Sequence, residues 1–272
     1  MNVMAAPPEQ VPEQLPEQPP TERRRTAPMV LLIVLLISLL LLTLVIVFPL
    51  LTNLRNQHLT SSDWSGYTVA SNLNHPQPKV TSVNGSWTVP TVNVSLEDSF
   101  SAAWIGIGGQ FDRTLIQVGT EHDSTRYGQG KYWAWYELIS FSAVTIDSMT
   151  ITPGDKITAS ISLLDPITSA WSIEIHDVTN EQSFQKNVLY PSSMLSAEWV
   201  VERPTINGVL MTLADFGQVT FTGCTATVSS TVGTVGSFPH SQIIMYGRPN
   251  TPLVSVSPLT SNGSSFAVNY LD

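Results

Sequence analysis

Beyond residue 62 the apolar residues of this chain recur at every second position, and no stretch keeps the 3.6-residue period of a helix. The alternating runs are short: "GYTVAS", "AAWIGIGG", "TLIQVG", "YWAWYELI", "DKITASISLL", "WSIEIHDV" and "QVTFTGCTATV". Gly, Pro, Asn and Asp separate them, as in Pro153-Gly154-Asp155 and Tyr127-Gly128-Gln129-Gly130. About ten strands over roughly 220 residues predict an all-β fold, two antiparallel sheets packed as a sandwich. Only "SSMLSAEW" offers a turn of helix, and no internal repeat is evident.

One segment breaks this pattern. Residues 29–51, "MVLLIVLLISLLLLTLVIVFPLL", carry no charge. As a helix they would cover roughly 34 Å, enough for a bilayer. Arg23, Arg24 and Arg25 precede the run and only Arg55 follows closely, which orients the N-terminus toward the cytoplasm. A cleaved signal peptide would have a shorter apolar core and a small-residue cleavage site, and "FPLLTNLRNQ" supplies none. The expected organisation is therefore a disordered Pro/Glu/Gln-rich cytoplasmic tail at 1–28, a transmembrane helix at 29–51, a linker at 52–62 and one extracellular β-sandwich domain at 63–272. The tail repeats Pro-Glu-Gln in "PEQVPEQLPEQPP" and has little to bury.

Charge narrows the partners. Only 12% of the 272 residues are charged and the net charge is −9. Nine of the 12 basic and 17 of the 21 acidic residues follow position 51. Without a basic patch, nucleic acid is not expected to bind. Cys224 is the only cysteine, so no internal disulfide, cysteine zinc site or CxxC pair can form.

Strand alternation sorts the remaining chemistry by face. In "SAAWIGIGG", Ala103, Ile105 and Ile107 form one row, with Ala102, Trp104, Gly106 and Gly108 opposite. In the next run Ile116 and Val118 oppose Leu115, Gln117, Gly119 and Glu121. In "YWAWYELI", Tyr132, Ala134, Tyr136 and Leu138 oppose Trp133, Trp135 and Glu137. In "AEWVVERP", Ala197, Trp199 and Val201 oppose Glu198, Val200 and Glu202. The second face thus gathers tryptophans, carboxylates and an amide. Gly106 and Gly108 are expected to leave space there for a ligand backbone. Tryptophan walls with converging polar groups suit a binding cleft. The same residues also allow a second buried face with Gln117 as a satisfied core amide, or a solvated face for the glutamates.

Other machinery is missing. There is no HExxH, GxSxG, Walker loop, GxGxxG or aspartic-protease Asp-Thr-Gly pair. The histidines at 58, 75, 122, 176 and 240 have no ligand spacing. Glu121-His122-Asp123 reads as a polar turn, with metal binding as the alternative. No metal and no cofactor is expected.

Five motifs in order, "WIGIGG", "LIQVGTE", "YWAWYEL", "TPGDKI" and "AEWVVERP", resemble the glutamic peptidases, the eqolisins; "SWTVP" and "VTFTGCTAT" add to them. The resemblance runs from about Trp64 to Leu271. It implies a concanavalin-like sandwich of two bent sheets with a cleft, and acid endopeptidase activity on polypeptides. It carries the catalytic glutamine to Gln117 and the catalytic glutamate to Glu202 rather than Glu198. Trp104, Glu121, Trp135 and Glu137 match cleft positions and are expected to bind substrate. Trp133 and Gly108 depart from the pattern, where the fungal enzymes carry a polar residue and an Asp. Those enzymes are secreted, disulfide-bonded and made with a propeptide. This chain looks like a membrane-anchored, disulfide-free, prokaryotic relative, with no room for a comparable propeptide; a monomer is expected. The chemistry is coherent by itself: a carboxylate can shuttle a proton while a neutral amide holds the water and donates to the oxyanion. Two other classes stay open, a carbohydrate-binding or carbohydrate-active sandwich, whose paired carboxylates could act on a glycosidic bond, and an inactive surface-binding domain.

Overall fold

The computed structural model describes residues 26–42 and 58–271. They fall into two separate units. In the first, helix α1 runs Thr26–Leu42 and carries no charge, with Leu32–Leu36 side chains about half exposed or more. Among the described residues no helix is long and apolar enough to cross a membrane. The end of the expected span, residues 43–51, lies outside the described residues, as does most of the expected tail.

The second unit is built of strands: β1 His58–Ser61, β2 Trp64–Ala70, β3 Val80–Thr88, β4 Ser99–Gly108, β5 Leu115–Thr125, β6 Gln129–Leu138, β7 Val144–Thr145, β8 Lys156–Asp165 and β9 Ala170–Asp177. Then come β10 Gln182–Leu189, β11 Ser196–Glu202, β12 Thr205–Ile206, β13 Val209–Leu210, β14 Gln218–Val228, β15 Thr231–Thr234, β16 His240–Met245, β17 Val254–Val256 and β18 Phe266–Tyr270. One sheet has the order β1-β16-β2-β11-β4-β5-β6-β7. The other has β10-β9-β8-β3-β14-β18-β17, with β15 beside β14. Strands β12 and β13 form a separate small hairpin.

The expected two-sheet sandwich is therefore the fold, with two differences. Strand β1 pairs parallel to β16, the one parallel pair in an otherwise antiparallel first sheet. His58–Ser61 is thus a strand where a linker was expected. "SSMLSAEW" forms no helical turn: it is irregular up to Leu195 and then enters β11.

The core lies between the sheets and is made by the predicted apolar rows. Ala103, Ile105 and Ile107 of β4, Ile116 and Val118 of β5, and Ala197, Trp199 and Val201 of β11 meet Trp87, Ile157, Ile161, Trp171 and Phe221 of the second sheet. Buried indoles need acceptors, and two of them cross the sandwich. Trp87 Nε1 of β3 donates to Thr120 Oγ1 of β5 at 2.9 Å. Trp199 Nε1 of β11 donates to the Asn84 carbonyl of β3 at 2.8 Å. Strands β5 and β11, which carry Gln117 and Glu202, are each tied in this way to the opposite sheet.

Candidate active site

The outer face of the first sheet is arranged in three cross-strand rows. The first reads Thr68, Glu198, Gly106, Gln117, Glu137 across β2, β11, β4, β5 and β6. The second reads Gly66, Val200, Trp104, Gly119, Trp135. The third reads Trp64, Glu202, Ala102, Glu121, Trp133. Gln117, Glu202, Trp104, Glu121, Trp135 and Glu137 all lie in these rows, and Gly108 pairs with Leu115 one row beyond them, so the alternation assigned their faces correctly.

The middle row is apolar. Trp104, Leu115, Trp135, Ala102 and Val200 are buried and form a second cluster, with Trp64, Trp133 and Ile139 packed on it. Trp64 meets Trp104 edge-on at 5.0 Å between centroids, the geometry that sets one ring's positive edge on the other's negative face. This corrects the reading of the glycines. A Cβ on Gly106 would lie 2.8 Å from Leu115 Cδ1 and 2.9 Å from Trp104 Cζ3, and one on Gly108 would lie 2.2 Å from the Thr114 carbonyl oxygen. Their space is already filled by the protein's own ring and backbone. Gly119 serves Trp104 in the same way: its Cβ would approach Trp104 Cβ to 2.5 Å.

Polar groups flank this wall. Trp104 Nε1 donates to Glu202 Oε2 at 2.7 Å. Burial pushes the Glu202 carboxyl up to about 7; Trp104, and to a smaller degree Trp64, pull it down by hydrogen bonding, while the charges of Asp63 and Glu137 raise it. Gln117 is buried, and its Nε2 donates to Glu137 Oε2 at 2.7 Å. Gln117 Oε1 has no partner among the described residues, nor has Trp135 Nε1. Burial also raises Glu137, against the hydrogen bond from Gln117. No hydrogen bond joins Gln117 to Glu202; the row of Trp104 stands between them.

Two carboxyl environments were not anticipated. Glu198 is fully buried and accepts from Thr68 Oγ1 at 3.2 Å. Burial raises it well above the usual carboxyl range, so in acid medium it keeps its proton. Glu121 and Asp123 both hold their protons more tightly than free carboxyls: burial, then the charge of Asp123, pushes Glu121 well up, and burial brings Asp123 to about 7. Their position two apart on β5 was a legible sign of a shared face, but the polar-turn reading hid it. The segment is strand, and His122 points the other way, into the core, where its Nε2 meets Thr120 Oγ1 at 2.7 Å. The three side chains therefore do not converge on a metal. Burial pushes His122 down to about 3, leaving it neutral. Trp64 was missed as a neighbour of Glu202, because only strand pairing brings β2 beside β11.

Residues 62–270 match the family model described as the Peptidase A4 family. Aspergillopepsin-2 of Aspergillus niger is 31% identical over 198 residues, 64% of this chain and 67% of that protein. Scytalidopepsin B of Scytalidium lignicola is 24% identical over 181 residues, 62% of this chain and 65% of that protein. The chain thus spans about two thirds of the length of these relatives. Among solved structures, scytalido-glutamic peptidase with a transition state analog inhibitor is similar in fold, with a TM-score of 0.66 at 21% identity over 78% of this chain and 99% of that one. Aspergilloglutamic peptidase from Aspergillus niger gives 0.55 at 27% identity over 64% and 99%.

Proposed function

Because this chain belongs to the Peptidase A4 family, the glutamic peptidases or eqolisins, we propose that it is an acid endopeptidase in which Gln117 and Glu202 form the catalytic pair. One observation carries the choice of residues. Of the two glutamates on the outer face of β11, Glu198 is sealed from solvent, while Glu202 is partly exposed and oriented by an indole N–H.

With its carboxyl near 7, Glu202 holds a proton in acid medium. It gives that proton toward the scissile amide as water attacks the carbonyl carbon. The carbon–nitrogen bond then breaks, the amine leaves with the proton, and Glu202 recovers one from the attacking water. Gln117 takes part through the groups it has free. Its unpartnered Oε1 can accept from the water, and the second Nε2 hydrogen, the one not held by Glu137, can donate to the oxyanion. As an amide it does so at any pH. Trp135, whose N–H lacks a partner, and the partly buried Glu121 and Glu137 line the substrate side. All these groups come from one sheet of one chain, so a monomer suffices.

We also propose that the chain is held at the cell membrane by residues 29–51, with the sandwich outside. The uncharged run, the arginines at 23–25 and the apolar exposure along α1 support this. External protease on intact cells should remove the sandwich and spare an N-terminal tag; a tag found outside overturns the topology.

The activity itself is tested by digesting denatured protein at pH 3–5 with the purified full-length chain. Hydrolysis should persist with pepstatin, chelators and serine-directed reagents. Absence of hydrolysis, or its loss on chelation, defeats the reading.

A further inference from the structure

At the C-terminal end of β11, one residue past Glu202, lies a cleft of about 730 Å³ lined by Thr60, Ser61, Arg203, Tyr246, Arg248 and Asn250 among others. Two of the nine basic residues after position 51 lie here. Arg203 directly follows Glu202, and its Nε donates to the Met211 carbonyl. That bond restrains the guanidinium plane and leaves its terminal nitrogens without a hydrogen-bond partner among the described residues. Arg248 is exposed and makes no hydrogen bond or ion pair among the described residues. Neither arginine meets a carboxylate; the ion pairs among the described residues are Arg126–Asp98 and His176–Glu174. The acidic neighbour, Asp63, accepts instead from Ser61 Oγ at 2.6 Å and Ser62 Oγ at 3.4 Å.

Two uncompensated guanidiniums in one concavity of an acidic domain form an anion site. Resting on the reading of Glu202 as catalytic, we propose that this cleft is a specificity subsite that binds a carboxylate of the peptide substrate, within a few residues of the bond cut at Glu202. The carboxylate is either an Asp or Glu side chain or the free C-terminus. Both ionise near or below pH 4 in water, and two cations would keep them ionised at the enzyme's acid working pH. Tyr246 and Asn250 add neutral donors at the same wall.

The test uses matched peptides that differ only by Asp or Asn at successive positions around the cleaved bond, each with a free or an amidated C-terminus. The kcat/KM values are measured with the full-length protein at pH 5. A charged hydrogen-bonded contact predicts a preference for one carboxylate of about tenfold or more. In Arg248→Gln that ratio should fall toward one. A side-chain preference identifies an internal acidic residue as the source, and a terminal preference identifies the C-terminus. Equal rates in the parent protein, or a preference that survives Arg248→Gln, overturns the subsite. Binding of the same peptides to Glu202→Gln protein reads the preference without turnover. Should no peptide be cut, the catalytic reading fails, and this binding ratio still decides the subsite.

Discussion

Glu198 and Glu202 leave the same face of β11 four residues apart, and solvent reaches only the second. Glu202→Gln keeps the size and the acceptor for Trp104 but cannot shuttle a proton. It should lower kcat by about 10²–10⁴. Gln117→Ala removes the amide and should cost about 10²–10³, and the double variant should lose less than the product of the two. Glu198→Gln places a neutral amide where a protonated carboxyl already sits, so activity and melting should change little. An inactive Glu198→Gln beside an active Glu202→Gln reverses the assignment. Trp104→Phe tests the protonation state that works. The indole N–H favours the ionised carboxyl, so its loss raises the Glu202 pKa above about 7. If the protonated form is the active one, the alkaline limb of the kcat/KM profile moves to higher pH. If the ionised form is active, the acid limb moves up instead and activity at pH 5 falls.

At the scale of the element, β4 and β5 are spaced by glycine. A Cβ on Gly119 would come within 2.4 Å of the Ala103 carbonyl oxygen, which is backbone and cannot turn aside. Gly119→Ala should therefore push the strands apart and displace Trp104, destabilising by about 1–3 kcal/mol. In a domain of this size that is a fall of about 2–12 °C in Tm, with a parallel loss of turnover. The same strands show what the sequence could express. Alternation alone placed Trp104, Gln117, Glu121, Glu137 and Glu202 on one face, because a strand's period of two leaves no other choice. It did not reveal what fills the volume beside a glycine, since that depends on a ring from the same or the next strand. Nor did it reveal β1. "HLTS" has no apolar rhythm, and its parallel pairing is set by β16, far along the chain. The site's chemistry was legible where it follows from face. It was not where it follows from pairing, as for Trp64 beside Glu202 and Thr68 beside Glu198.

For the whole molecule, the carboxyls of the outer face set the pH at which the fold is strongest. Glu202, Glu198, Glu121, Asp123 and Glu137 all hold protons more tightly folded than unfolded. Their contribution is complete below the unfolded carboxyl values near 4 and is lost as pH rises through the folded ones, about 7 for Glu202. For that group alone the loss is about 3 kcal/mol. His122 acts in the opposite sense: its contribution is complete above its unfolded value of 6.5 and is lost as pH falls toward about 3. Between pH 5 and 8 it returns about 2 kcal/mol, less than the carboxyls give up. The Tm should therefore be higher at pH 5 than at pH 8, measured by calorimetry; a Tm that rises over that window contradicts these environments. The carboxyls on β11 have one more effect. The inward row of this strand is Ala197, Trp199 and Val201, and the outward row sets Glu198 and Glu202 on either side of Val200. The slip would carry Glu198 and Glu202 between the sheets and leave Trp199 outside. Stripping two acids of their outer-face partners is what makes that pairing costly. The residue assigned to cutting other chains, together with its sealed neighbour Glu198, thus also proofreads how this one aligns its own strands as it folds.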